Sequence, residues 1–356
     1  MTHAVEERVE TLWAAATAGD EYAAADAALA ALDAGMPMET LLLDVLAAVQ
    51  SRVGLEWAAG RITVAQEHTA TAVNERVLAT LAHHPSARRS PEPGRGRITV
   101  ACVHGEWHAF PARLLAEVLR LRGWHVDYLG AQVPMPQLVA HLHRTNPVAV
   151  ALSGSLAPRL PAAHAAITSC QAVGTPVLAG GAAFGPDGRY ARLLGADAWA
   201  PDARAAADLL DGGPPCRTAS GRSAGEPPHL GGPEYAALTE SAADLVRSVA
   251  EELAQRVPEL APAYAERRLG DPAEDVASIV DYLRAALYVD DPELFSSFAG
   301  WIAEVLAARG IPARVLLLVL EALAERLPGS PRALVMLEGA RDVARRHRTG
   351  DHWTRR

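Results

Sequence analysis

The sequence predicts a multidomain protein with an N-terminal four-helix bundle, a doubly wound parallel α/β sheet, and a C-terminal all-α domain. Three observations carry this reading. Alanine and leucine dominate residues 4–84, where Pro37 is the only proline. From Arg97 onward, short β-branched apolar runs alternate with helical segments, the signature of a parallel sheet covered on both faces. A glycine- and proline-rich stretch at 211–233 then separates a second helical region. The length of 356 residues exceeds one ordinary domain and fits two or three.

Each element follows in order. Helices are expected near 5–18, 21–34, 37–58 and 64–84, with Gly35 and Gly60 as breaks. The fourth has a written start, because Thr63 followed by Gln66 three residues on is a capping box. Residues 85–94 are a proline-rich linker. Ile98–Val103 is the first strand, followed by helix 111–122, strand 125–129, helix 135–145, strand 148–153, helix 159–173, strand 176–179, a weaker strand at 197–200 and helix 203–210. Sheets of this kind bind ligands beyond the carboxyl ends of their strands, which singles out the loops 104–110, 153–158 and 180–186. The C-terminal helices are placed at 234–256, 258–268, 272–289, 292–309, 312–327 and 331–347. The expected domains are therefore 1–86, 96–212 and 233–350, with a linker at 213–232.

Composition narrows the function. Half the residues are apolar and 21% are charged, enough to build a core. The net charge of −9 argues against a nucleic-acid binder. All 33 cationic side chains are arginine, so Schiff-base chemistry and the P-loop lysine are excluded. Cys102, Cys170 and Cys216 stand far apart, with no CxxC pair and no disulfide framework. No apolar run reaches membrane-spanning length and no secretory leader is recognisable, so a soluble, cytoplasmic protein is expected.

The first βα loop reads His104-Gly105-Glu106-Trp107-His108-Ala109-Phe110. A histidine here can present its imidazole to the ligand crevice, and a carboxylate two positions earlier can orient it. Ser153-Gly154-Ser155 follows the third strand and Gly180-Gly181 the fourth, and such small residues leave room for a long group to thread into the domain. Together these residues resemble the cobalamin-binding domain of methionine synthase, mutases and corrinoid proteins, a flavodoxin-like fold. That family carries Asp-x-His-x-x-Gly, then Ser-x-Leu, then Gly-Gly. The resemblance implies that His108 is the lower ligand of cobalt, that Ser153 and Ser155 lie near the nucleotide tail, and that Gly180 and Gly181 pack against it. Three positions depart from the pattern: Glu106 replaces Asp, Pro111 replaces the motif's Gly, and Ser155 stands where the family has Leu. A Glu at the first of these is what the photoreceptor branch tends to carry.

In the bundle, nine residues separate Trp57 from Glu67-His68, and an antiparallel helix pair puts all three near one end. For an arbitrary hairpin these would be a core tryptophan and a surface pair. The spacing resembles the Trp-x₉-Glu-His signature of cobalamin-dependent photoreceptors. It implies a cap over the upper face of adenosylcobalamin that shifts when light removes the adenosyl group. Family repressors have His after the Trp, whereas this chain has Ala58, so the upper ligand after light is left open between water and His68. Their N-terminal helix-turn-helix is also missing.

Residues 234–346 hold no histidine or cysteine, which argues against a histidine-ligated haem or a thioether-linked bilin. Tyr282, Tyr288, Phe295, Phe298 and Trp301 cluster here, with Arg284 and Arg314 available to anionic groups and Asp281, Asp290 and Asp291 to ring N–H donors. Aromatics at helical spacing are ordinarily core. The whole arrangement, with Tyr288-x-Asp290-Asp291-Pro292, resembles the photocobilins, which add a globin-like bilin-binding domain to a cobalamin photoreceptor. The resemblance implies biliverdin held without a covalent bond, a signalling protein and not an enzyme, and a homo-oligomer. The alternatives are a corrinoid methyl carrier of a methyltransferase system and a plain interaction protein.

Overall fold

A computed structural model of the chain describes residues 3–87, 90–215, 232–258 and 272–349. Its N-terminal helices begin where their caps stand. α1 spans His3–Ala18, and α2 (Glu21–Asp33) starts on Asp20, whose carboxylate accepts from the Ala23 amide at 2.9 Å. α3 (Met38–Thr40) runs through a π turn at Leu41–Leu46 into α4 (Ala47–Ala58), so the third predicted helix is one rod containing a wider turn. α5 (Val64–His83) has the expected capping box, with Thr63 Oγ1 accepting from the Gln66 amide and Gln66 Oε1 accepting from the Thr63 amide. Val5, Val9, Leu12, Leu42, Leu46, Val49, Val53, Val73, Val77 and Leu81 are the buried stripes of this bundle.

Five parallel strands follow: β1 (Arg97–Cys102), β2 (His125–Gly130), β3 (Ala149–Ser153), β4 (Val177–Gly180) and β5 (Ala198–Ala200). Their order is β2-β1-β3-β4-β5, the flavodoxin-like order. β3 is buried along its whole length, as a central parallel strand must be. Pairing aligns Cys102 with Ser153 and Ser153 with Gly180, so the three loops that leave these strands start at one level. The linking helices are α6 (Phe110–Leu121), α7 (Met135–Thr145), α8 (Leu160–Ala172), α9 (Arg189–Leu193) and α10 (Ala203–Asp211).

The chain divides into two compact units, and the bundle and the sheet belong to the same one. Their buried residues form a single apolar cluster that runs from Val5 through Ile98 to Leu210. The cluster is continuous because α6 packs on α5 and on the π turn. An ionic seam follows the same junction. Arg122, after α6, pairs with Glu39 at 2.6 Å, Asp208 at 2.5 Å and Asp211 at 3.1 Å, while Arg204 pairs with Asp44 at 2.8 Å.

The second unit is helical: α11 (Pro233–Arg256), α12 (Pro272–Val289), α13 (Pro292–Ala308), α14 (Ala313–Arg326) and α15 (Pro331–Thr349). Val276, Ile279, Leu283, Phe295, Ile302, Leu316, Leu320, Leu323, Met336 and Leu337 lie in its core. The helix expected at 258–268, most of the linker 213–232, and Cys216 lie outside the described residues. No helix among the described residues is long and apolar enough to cross a membrane.

Candidate functional site

The loop after β1 turns at Gly105 and buries Glu106 completely. A buried carboxylate needs donors, and this one has four. Its Oε1 accepts from the His108 amide at 2.9 Å and lies 2.5 Å from His108 Nδ1, while its Oε2 accepts from the amides of Ser155 at 2.7 Å and Leu156 at 3.2 Å. The carboxylate thus ties the β1 loop to the β3 loop. Burial pushes the Glu106 carboxyl up, but the His108 and Ser155 hydrogen bonds outweigh it and hold the group at about 2. An ionised Glu106 can only accept, so His108 carries its proton on Nδ1. In the neutral ring His108 Nε2 is then the lone-pair nitrogen, on a side chain that is 55% exposed. Hydrogen bonding to Glu106 raises the His108 pKa against the opposing effect of burial, and the Glu106 and Glu67 charges add to the rise.

Beside this loop lies a cleft open to solvent. Pro111, Ala112 and Leu115 of α6 form one wall, Ser153, Leu178, Gly180 and Gly181 the floor, and Ala200, Asp202 and Ala206 the far side. Small residues keep it open, as the sequence led us to expect. Gly181 has φ +101°, and a Cβ there would meet the Gly154 carbonyl oxygen at 2.3 Å, so the β3 and β4 loops cross with no room for a side chain. Ser153 lines the cleft, whereas Ser155 contributes its backbone amide to Glu106. Trp107 is 74% exposed, an unusual state for a tryptophan next to the imidazole.

Trp57 stands at the end of α4 and Glu67 and His68 in the first turns of α5. Glu67 Oε2 lies 2.6 Å from His68 Nδ1, and Glu67 Oε1 accepts from Thr71 Oγ1 at 3.1 Å. The sequence reading missed Thr71, Gln50 and Asn74, although Glu67, Thr71 and Asn74 at i, i+4 and i+7 form a polar stripe that could have been seen. It also missed the Leu156 amide, which no side-chain pattern reports.

In the second unit, Tyr282 stacks on Phe298 with centroids 3.7 Å apart, and Trp301 lies 6.0 Å beyond Phe298. Tyr288 is buried and meets Tyr235 at 5.0 Å. Asp281 pairs with Arg284 at 2.9 Å, and Asp290 with Arg332 at 2.6 Å; Arg314 is exposed. The Tyr-x-Asp-Asp-Pro run has a full local account. Asp290 takes the left-handed turn conformation (φ +53°), Asp291 caps α13 through the Glu293 amide, and Pro292 opens that helix.

Comparison with known proteins bears on both modules of the first unit. Residues 96–209 match a family described as B12 binding domain, and residues 8–82 match a second family of the same description. No curated protein matches the chain. Among solved structures, the monomethylamine corrinoid protein of Methanosarcina barkeri is similar at TM-score 0.50 and 20% identity, over 58% of this chain and 97% of that one. The methanol:cobalamin methyltransferase complex MtaBC of Methanosarcina barkeri gives TM-score 0.32 and 19% identity over 58% and 79%. A novel cobalamin-binding protein from Desulfitobacterium hafniense DCB-2 gives 0.33 and 20% over 57% and 97%. Bundle and sheet each match a B12 binding domain on their own, and the chain is a cobalamin-binding protein.

Proposed function

We propose that the chain is a light sensor that holds adenosylcobalamin in its first unit and biliverdin, without a covalent bond, in its second. The residues present fit the corrinoid. His108 offers a neutral imidazole nitrogen with its other nitrogen fixed, which is the donor type and orientation that a metal-ligating histidine needs. The cleft bordered by Ser153, Gly180 and Gly181 has the small lining that a nucleotide tail requires. When bound, adenosylcobalamin supplies a cobalt–carbon bond weak enough for visible light to break.

The work of this chain's own residues is to bind, orient and enclose. Glu106 keeps the imidazole in one tautomer, the cleft takes the tail, and Trp57, Glu67 and His68 would cover the opposite face. Loss of the covered group removes contacts from the bundle, which shifts its packing and with it the oligomeric state. The reading assigns no catalytic residue and no enzymatic activity. It rests above all on Trp57, Glu67 and His68 together at one end of a bundle that shares a core with the His108 domain. Biliverdin is supported by the aromatic set Tyr282, Phe298 and Trp301 in a cysteine-free helical module, which this reading takes as globin-like, with Asp281, Arg284, Tyr288, Asp290 and Arg314 as its polar candidates.

A second reading, a corrinoid methyl carrier serving a methyltransferase, has better support than the sensor from the comparisons, since 58% of this chain spans the monomethylamine corrinoid protein almost completely. It leaves the C-terminal helices without a role.

Absorption spectra separate the two. Protein reconstituted with adenosylcobalamin and biliverdin should bind both, and the cobalamin spectrum should change under green light and under red. Binding of cobalamin with no light response, together with a methylcobalamin form turned over by a methyl donor in the dark, would replace the sensor with the carrier.

A further inference from the structure

We propose that Asn74, Gln50 and Thr71 are positioning residues for the upper-ligand side of the cobalamin site, acting through Glu67; this rests on the cobalamin reading above. The buried side chains of the bundle are otherwise alanine, valine, leucine and Met38, yet buried Asn74 begins a polar chain that runs outward through half-buried Gln50 and Thr71. Asn74 Nδ2 donates to Gln50 Oε1 at 2.8 Å, Gln50 Nε2 donates to Thr71 Oγ1 at 2.9 Å, and Thr71 donates to Glu67 Oε1 at 3.1 Å. Every bond points the same way, toward the carboxylate. Such chains polarise one another and strengthen the last acceptor contact.

Asn74 is fully buried and its Oδ1 has no partner among the described residues. An unsatisfied buried acceptor is unfavourable, so the chain is a poor device for stability alone. Its geometry explains its use. Glu67, Thr71 and Asn74 form one stripe of α5, and Gln50 reaches that stripe from α4. Trp57, seven residues after Gln50, lies on the same face of α4 as Gln50. The chain therefore ends at Glu67, in the first turns of α5, at the same end of the bundle as Trp57.

With His68 Nδ1 bonded to the Val64 carbonyl at 2.9 Å, the Glu67 carboxylate is held in place by Thr71. It should repel an anionic upper ligand and accept a hydrogen bond from a neutral one that carries N–H. The test uses the full-length protein loaded with hydroxocobalamin and titrated with azide or imidazole by visible absorption. Thr71→Val keeps the side-chain volume and cuts the chain, so the ratio of azide to imidazole affinity should rise at least threefold while hydroxocobalamin uptake stays unchanged. Thr71→Ser, which keeps the hydroxyl, should return the ratio to within twofold of the parent. Thr71→Ala is the second variant should valine fail to fold, and it should match valine. An unchanged ratio in folded, loaded Thr71→Val or Thr71→Ala overturns the inference, as does an equal change in Thr71→Ser. Failure of the parent protein to take up hydroxocobalamin would overturn the cobalamin reading itself, and this inference with it.

Discussion

Glu106 Oε1 sits 2.5 Å from His108 Nδ1, and the same carboxylate accepts from the Ser155 amide of a neighbouring loop. One side chain therefore fixes both the tautomer of the imidazole and the distance between two strand-end loops. Binding and folding are coupled at this point.

His108→Ala should remove the lower cobalt ligand. Cobalamin bound to the variant should show a spectrum without imidazole coordination, and an unchanged spectrum would move the ligand elsewhere. Removing the orienting partner is a milder change. Glu106→Gln should weaken cobalamin binding about 10–100-fold, the usual effect of losing a metal-bound histidine's partner.

The pH dependence has a defined sign. The Glu106 carboxyl is held at about 2 in the fold, below its ordinary value of 4.5. Its stabilising contribution is therefore complete above 4.5 and is lost as pH falls toward 2, on the order of 3 kcal/mol in all. The ligand-free protein should lose melting temperature over this window. Glu106→Gln should lose less there, and parallel curves for the two proteins would exclude Glu106 as the source.

Gly181→Ala should destabilise by about 2 kcal/mol or more, because the new methyl meets a backbone carbonyl that cannot move aside and the backbone is left-handed there. Urea unfolding measures it. Gly174, with a positive φ but open space around it, is the control and should cost less on the same substitution.

Cys102 and Cys170 are buried, and burial pushes both thiols up to about 12. At pH 8 neither supplies appreciable thiolate. Alkylation of the native protein followed by peptide mapping should leave both unmodified, and rapid labelling of either would mean that its surroundings open readily.

How much of this was legible beforehand depended on the range of the interaction. The capping box at Thr63 and Gln66, the strand starts and the Glu106–His108 pair are local in sequence, and each was read directly. The approach of Gly181 to Gly154 was only suggested by small residues, since it takes two loops to make it. The ionic seam from Arg122 to Glu39, Asp208 and Asp211 joins residues more than eighty positions apart, and no local pattern announces it. Asp290 and Asp291 show the opposite case, a motif conspicuous in the sequence in which Asp290 turns the backbone and pairs with Arg332 while Asp291 caps a helix.

The π turn at Leu41–Leu46 sets the phase of everything after it in the same rod. There the Ala47 amide reaches back to the Leu42 carbonyl, one residue further than in an α-helix. One residue corresponds to about 100° of helical rotation. Deleting a single residue from this turn would relax it to an ordinary helix and carry Gln50 and Trp57 about a quarter-turn away from Thr71 and Glu67. The bundle could keep its apolar contacts through Leu41 and still lose the hydrogen bond by which Gln50 reaches Thr71, so a single deletion here would retune a polar contact without unmaking the rod.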